Sequence, residues 1–149
     1  MTESTHGSLK TEERELVELS FPASVDLVVL ARFAAATMAA RAGFDVEEIE
    51  DLRLAVDELC VSFGPIEDSQ SVRLQFKRTD HLVRIFCEFE RRNPGDRDPT
   101  ELTPDNSVPK RADELSRQLL DALVDEHGRE SRDGFPFAWL EKRGGIFAV

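Results

Sequence analysis

Two alternating segments near the middle of the chain limit most strongly what it can fold into. Residues 72–78 and 82–90 alternate apolar and polar side chains, and only Thr79, Asp80 and His81 separate them. This alternation is typical of strands with one buried face, and so short a connection joins strands that run antiparallel. The sequence therefore predicts a β-hairpin whose apolar face needs a second hydrophobic layer to cover it.

Three other segments repeat their apolar residues at helical spacing. The first predicted helix spans about 24–42 and is closed by Gly43, a residue that favours helix ends. The second opens at Asp45, and Glu48 three residues later completes an approximate capping box. The third spans about 109–128. The predicted buried stripes are Val25, Val28, Val29, Phe33, Thr37 and Met38 in the first helix; Ile49, Leu52, Val56, Leu59 and Phe63 in the second; and Ala112, Leu115, Leu119, Ala122 and Leu123 in the third.

The order of the elements predicts the fold class. Further strands are expected at 16–21, at Glu130 and Ser131, and at 137–143. The resulting order predicts an α+β fold, a two-layer sandwich whose mostly antiparallel sheet is covered on one face by three helices. The expected organisation is a polar, disordered tail at 1–14 and a single domain at 15–149, with a mobile surface loop at about 91–107.

The acidic balance of charge excludes several classes of protein. The 149-residue chain carries a net charge of −11, which repels phosphate backbones and anionic membrane surfaces. Its first residues have no apolar signal-peptide core, and no segment approaches the length of a membrane span, so we expect a cytoplasmic protein. Cys60 and Cys87 lie in apolar stretches and are expected to be reduced core thiols. The three histidines show no metal-ligand spacing, so no metal site is predicted.

The most informative stretch is residues 49–60, which read Ile-Glu-Asp-Leu-Arg-Leu-Ala-Val-Asp-Glu-Leu-Cys. It resembles helix two of the GHKL ATPase fold, in particular the anti-sigma-factor serine kinases of the RsbW and SpoIIAB type. Its residues are most similar to those of divergent actinobacterial anti-sigma factors. The resemblance covers about residues 15–143. In that family the helix carries a glutamate that acts as general base and, four residues later, an asparagine that holds Mg²⁺. The resemblance places Glu58 at the first position, where an ordinary solvated carboxylate is the alternative, and Ser62 at the second.

The remaining nucleotide-binding positions of that family are altered here. The aspartate that accepts a hydrogen bond from the adenine amino group falls on Phe89, which has no acceptor, and an unpaired buried amino group costs about 1–3 kcal/mol. The glycines that follow fall on Arg91 and Asn93. The Gly-x-Gly that cradles the phosphates falls on Glu114 and Ser116, and a carboxylate there repels a triphosphate. The resemblance therefore predicts a pseudo-kinase that requires no cofactor.

The protein-binding position of the family is retained. Arg32 lies 26 residues before Glu58, where SpoIIAB-type proteins carry an arginine that contacts both the sigma factor and the anti-anti-sigma factor. A partner carboxylate could pair with it bidentately. The alternative is an ordinary solvated arginine on an amphipathic helix.

The sequence leaves three possible functions open. The first is an anti-sigma factor that binds a sigma factor, is countered by an anti-anti-sigma protein with a STAS domain, and acts as a homodimer. The second is an active serine protein kinase that uses Mg-ATP, with Glu58 as base and Ser62 at the metal. The third is a small-molecule sensor that uses the former nucleotide cavity, which Phe89 makes more apolar than an ATP site.

Overall fold

The computed structural model describes residues 15–61, 70–91, 110–132 and 135–145. The predicted tail at 1–14, the predicted loop after Arg91 and the predicted metal position Ser62 lie outside these ranges. A short 3-10 turn at Val25–Leu27 leads into the first helix. The strands and helices are β1 (Glu15–Pro22), α1 (Val28–Arg41), α2 (Val46–Val61), β2 (Gln70–Thr79), β3 (Leu82–Arg91), α3 (Lys110–Leu123), β4 (Glu126–Arg132) and β5 (Phe135–Arg143).

The strands form one sheet in the order β1-β2-β3-β5-β4. Every neighbouring pair is antiparallel. The predicted hairpin is confirmed as β2–β3, and Thr79 pairs with Leu82 across a turn made by Asp80 and His81. His81 has a positive φ of 61°, in the left-handed region that residues other than glycine adopt mostly in turns.

The helices cover one face of this sheet and bury its alternating apolar residues. On the sheet side, Leu74, Phe76, Ile85 and Leu140 are fully buried. Leu52, Val56 and Leu59 of α2 pack against them, as the helical spacing predicts. The predicted α+β two-layer sandwich is confirmed. Among the described residues no helix has the length and apolar character needed to cross a membrane.

The predicted boundaries between α1 and α2 are confirmed. Gly43 has a φ of +83°, the left-handed conformation that glycine adopts without strain. The Glu48 amide donates to Asp45 Oδ1 at 2.8 Å, and the Asp45 amide donates to Glu48 Oε1 at 2.8 Å. This reciprocal pair is a complete capping box and fixes the start of α2.

The predicted buried stripe of α1 is wrong in part. Val29, Phe33 and Thr37 are exposed, whereas the small residues Ala31 and Ala35 are fully buried. Small side chains let a helix approach the sheet and its neighbouring helix closely, so the alanine face turns inward and the bulkier residues remain outside. The buried residues of α1 are Val28, Ala31, Ala35, Met38 and Ala39.

For α3, the prediction is wrong about which face of the helix is buried and about where the helix ends. Leu115 and Leu119 are 57% and 42% exposed, whereas Ser116 and Leu120 are only 3% exposed. The helix stops at Leu123, and the chain continues directly into β4. The strand expected only at residues 130 and 131 is therefore longer and begins at residue 126.

Gly128, predicted to end a helix, lies in β4 opposite Trp139. A Cβ atom added at Gly128 would lie 2.7 Å from Trp139 Nε1. The indole therefore needs a residue without a side chain beneath it. Pro136 also lies within a strand, β5, one residue before the predicted strand start at 137, and pairs with Ser131.

Candidate functional site

Glu58 lies near the end of α2 and is half-buried. Asp51 is two helical turns earlier on the same side of the helix, where Lys142 Nζ lies 3.7 Å from its carboxylate. Glu58 itself forms no hydrogen bond or ion pair with any residue of the described ranges. Its carboxylate is therefore available to a group from outside the described chain.

Phe89 lies on the helix-facing side of β3, paired with Val72 of β2. It is 4% exposed and belongs to the hydrophobic core. Its neighbour Glu90 is exposed on the opposite face, with an oxygen 3.9 Å from Arg73 Nη1. Glu90 therefore cannot replace the acceptor that position 89 lacks, as the alternation of side chains along a strand predicts.

Two thiols lie between the helix that carries Glu58 and the strand that carries Phe89. Cys60 follows Glu58 by two residues, Cys87 precedes Phe89 by two residues, and both are free and fully buried. A hydrogen bond with Cys60, together with burial, raises the pKa of the Cys87 thiol. The prediction of buried core thiols is confirmed, and their contact joins α2 to β3.

Helix α3 places the two predicted phosphate positions on different sides. Glu114 is exposed, whereas Ser116 is 3% exposed. The Ser116 hydroxyl is buried and has no hydrogen-bond partner in the described part of the chain. The structure thus brings Ser116 into the interior and leaves Glu114 in solvent.

Arg32 is held by a residue that the sequence analysis missed. Its Nε donates to Asp57 Oδ1 of α2 at 2.7 Å. The two side chains are 40% and 33% exposed, and neither terminal nitrogen of the guanidinium donates to a described residue. Within the described ranges, Arg32 is therefore held on one side only. The sequence gives no local signal for this pair, because the contact joins two different helices.

An apolar surface lies beside Arg32 on the outside of α1. Val29, Leu30 and Phe33 are 36%, 42% and 64% exposed, and Phe33 lies one turn after the other two. We call these three residues the α1 face. Exposed apolar side chains that adjoin one another in this way mark surfaces that bind other proteins.

Lys142 is a second residue that the sequence analysis missed. It is 9% exposed, and its ammonium donates to the Leu123 carbonyl at 2.8 Å. With Asp51 on its other side, this ammonium joins β5 to α2 and to the end of α3. Within the described ranges no group of three or more His, Cys, Asp or Glu residues has an arrangement that could hold a metal ion.

The fold and these residues define a class of protein: a two-layer α+β sandwich whose capped second helix carries a glutamate, Glu58, without an ion-pair partner among the described residues. No protein-family model matches the chain. Curated relatives do match it. The serine-protein kinase RsbW of Bacillus thuringiensis (strain Al Hakam) is 35% identical, with 77% of each chain covered. The serine-protein kinases RsbW of two Bacillus cereus strains, AH187 and B4264, are 28% and 27% identical, again with 77% of each chain covered.

The identity of 35% over more than two thirds of both chains is sufficient to assign the family. The chain belongs to the RsbW family of serine-protein kinases.

Proposed function

We propose that this protein is an anti-sigma factor that holds an RNA polymerase sigma factor inactive by binding it. An anti-anti-sigma protein with a STAS domain competes for the same surface and releases the sigma factor. The protein has little or no kinase activity, because its former nucleotide site is degenerate. Membership of the RsbW family supports the general role, and the residues of α1 support the mode of binding.

The α1 face is the observation that carries this proposal. A helix that packs on a sheet ordinarily turns its largest apolar residues inward. Helix α1 buries Val28 and Met38 in this way but leaves its largest side chain, Phe33, 64% exposed while Ala31 and Ala35 are fully buried. Full burial of a large apolar side chain contributes about 1.5–3 kcal/mol, and Phe33, being 64% exposed, has about two thirds of this still to gain when a partner docks.

Arg32 supplies the polar half of the same surface. Asp57 engages Nε at 2.7 Å, and no other described residue accepts from the two terminal nitrogens, which can donate to a partner carboxylate. The ion pair also restricts the side chain, so that less conformational freedom is lost when a partner binds. An apolar anchor beside an oriented arginine is the composition typical of strong protein–protein contacts.

Two positions of the former nucleotide site support the loss of ATP binding. Phe89 is 4% exposed and packs in the core, so it offers neither surface nor an acceptor to an adenine ring. Glu114 is an exposed carboxylate where the family has a glycine beside the phosphates. The residues at these two positions do not fit Mg-ATP.

The remaining parts of the proposal concern assembly and location. The protein acts in the cytoplasm as a homodimer and makes no direct contact with nucleic acid. Its net charge of −11 is consistent with a protein partner rather than a phosphate backbone. Sedimentation velocity tests the assembly, and a single monomeric species across the micromolar range would contradict the homodimer.

The direct experiment measures binding to each purified sigma factor encoded in the same genome. Biosensor titrations compare the wild type with Phe33→Gln and Arg32→Ala. Because Phe33 is 64% exposed, loss of this anchor removes about 1–2 kcal/mol of apolar burial, which weakens binding about 5- to 30-fold. Absence of binding to every sigma factor, by the wild type, would refute the proposal.

Matched variants separate this surface from general effects on the protein. Leu54→Gln changes another exposed apolar residue, 49% exposed on α2, and Arg53→Ala removes another arginine whose side chain is 40% exposed. Both should bind sigma factor like the wild type. If Leu54→Gln weakens binding as much as Phe33→Gln does, the α1 face is not the docking surface.

One observation favours a second function, a serine protein kinase that uses Mg-ATP. Glu58 is half-buried without a described partner, as a general base would be, and the similar Bacillus proteins are named serine-protein kinases. Calorimetry with millimolar Mg-ATP distinguishes the two functions. A binding heat that saturates with Mg-ATP, together with phosphate transfer to an anti-anti-sigma serine, would establish the kinase if Glu58→Gln abolishes the transfer. The same result would refute the degenerate site.

A further inference from the structure

The ion pair between α1 and α2 determines how the guanidinium of Arg32 is presented at the surface. Arg32 Nε donates to Asp57 Oδ1 at 2.7 Å. The side chains one turn away from Arg32 on its own helix are all apolar: Val28, Val29, Ala35 and Ala36. None of them can accept a hydrogen bond. Within the described ranges, the orientation of this guanidinium is therefore set from α2 and not from the helix that carries it.

Asp57 is available for this contact because the nearest arginine on its own helix pairs elsewhere. Arg53 lies four residues before Asp57 on α2, a spacing at which an arginine and a carboxylate can meet. Arg53 Nη1 instead lies 3.2 Å from Glu50 Oε1. Arg32 is the one residue of the described ranges that forms an ion pair with Asp57. The pair is therefore specific to these two side chains, which are 40% and 33% exposed.

The contact with Asp57 also decides which edge of the guanidinium can receive a partner. A guanidinium group is planar and can bind a carboxylate through two parallel hydrogen bonds, along an edge that contains Nε or along the edge formed by Nη1 and Nη2. Asp57 occupies Nε, and no described residue accepts from the two terminal nitrogens of Arg32. A second carboxylate that binds bidentately must therefore approach end-on, at the tip of the side chain.

We propose that Asp57 is a positioning residue for sigma-factor binding, which holds Arg32 so that Nη1 and Nη2 receive a partner carboxylate end-on. This inference rests on the proposed function and gives α2 a part in a binding surface otherwise assigned to α1. Asp57 affects such binding in two opposite ways. Its charge repels an approaching carboxylate, whereas its hydrogen bond restricts the rotamers of Arg32 before the partner arrives. The second effect is larger, because Arg32 compensates the charge of Asp57 and water screens both partly exposed groups.

The two effects predict opposite results for Asp57→Ala, so the sign of the change tests the proposal. Biosensor titrations of the full chain use the sigma factor that the wild type binds. Asp57→Ala should weaken binding about 2- to 10-fold, because the freed Arg32 side chain must be ordered when the partner docks. Asp57→Asn keeps an acceptor oxygen and should lose less affinity than Asp57→Ala. Unchanged or tighter binding by Asp57→Ala would overturn the inference.

Glu47→Ala is the control for removal of an acidic charge from α2. Glu47 is exposed and lies ten residues before Asp57, about 15 Å along the helix axis and beyond a screening length of about 10 Å. Glu47→Ala should change the affinity less than about twofold. A loss as large as that of Asp57→Ala would show an effect of net charge and would overturn the positioning role.

A double-mutant cycle separates positioning from a structural role of Asp57. In the Arg32→Ala background, Asp57→Ala should change the affinity less than about twofold, because no guanidinium remains to be positioned. An equal loss in both backgrounds would mean that Asp57 acts through the fold or through its own contact with the partner, and would overturn the inference. Failure of the wild type to bind any sigma factor would instead refute the proposed function, and this inference with it. Unchanged thermal midpoints verify that the variants fold.

Discussion

Replacement of Ser116 by alanine should stabilise the protein, because its hydroxyl is buried without a partner in the described chain. In the unfolded chain this hydroxyl is hydrated, and leaving it unsatisfied in the interior costs about 1–3 kcal/mol. Alanine also gains about 0.5 kcal/mol of helix propensity over serine. The void left by the hydroxyl is smaller than a methyl group and costs less than about 1 kcal/mol.

The sum is a net stabilisation of about 1–2 kcal/mol for Ser116→Ala. For a chain of this length that corresponds to a rise in Tm of about 2–8 °C. Circular dichroism at 222 nm and urea unfolding should give the same sign, and the urea m-value should not change.

Exposed Gln118 on the same helix provides the control for helix propensity. The difference in stability between Gln118→Ser and Gln118→Ala measures the intrinsic preference for alanine in α3. The gain in the free energy of unfolding caused by Ser116→Ala must exceed this difference. A fall in Tm would refute the reasoning, because it would mean that the Ser116 hydroxyl has a hydrogen-bond partner worth more than its cost of burial.

Three further predictions concern the sheet and its edges. Gly128→Ala places a Cβ atom 2.7 Å from Trp139 Nε1, so it should destabilise the protein by about 1–3 kcal/mol and shift the emission of this single tryptophan; an unchanged spectrum would contradict the contact. Hydrogen bonding to Arg41 is the first cause that lowers the pKa of Glu15 from 4.5 to about 2. The stability that Glu15 contributes is therefore present above pH 4.5 and lost as the pH falls towards 2. In Glu15→Gln, the free energy of unfolding measured with urea should change less over that pH interval than in the wild type. Lys142→Met removes a buried ammonium and should lower urea stability by about 1–2 kcal/mol, whereas no change would show that its contacts are dispensable.

Local patterns were sufficient for the order of elements and for most boundaries. The capping box at Asp45 and Glu48 and the left-handed Gly43 are interactions within a few residues, so the sequence alone predicts them correctly. The alternation in β2 and β3 predicts which side of each strand is buried, and it correctly places Phe89 inside and Glu90 outside. These features follow from propensity, capping and periodicity, which need no knowledge of distant residues.

Only tertiary packing decided which faces of α1 and α3 are buried. Large apolar residues lie on more than one side of each helix, and the choice between them depends on how closely the helix approaches the sheet. Close approach of α1 turned its alanines inward and left Phe33 outside, and in α3 Ser116 entered the core in place of Leu115. The same packing created the Arg32–Asp57 pair, whose members are far apart in sequence. Spacing along the chain carries no information about such contacts, because they arise from the distance between elements rather than from the residues within one.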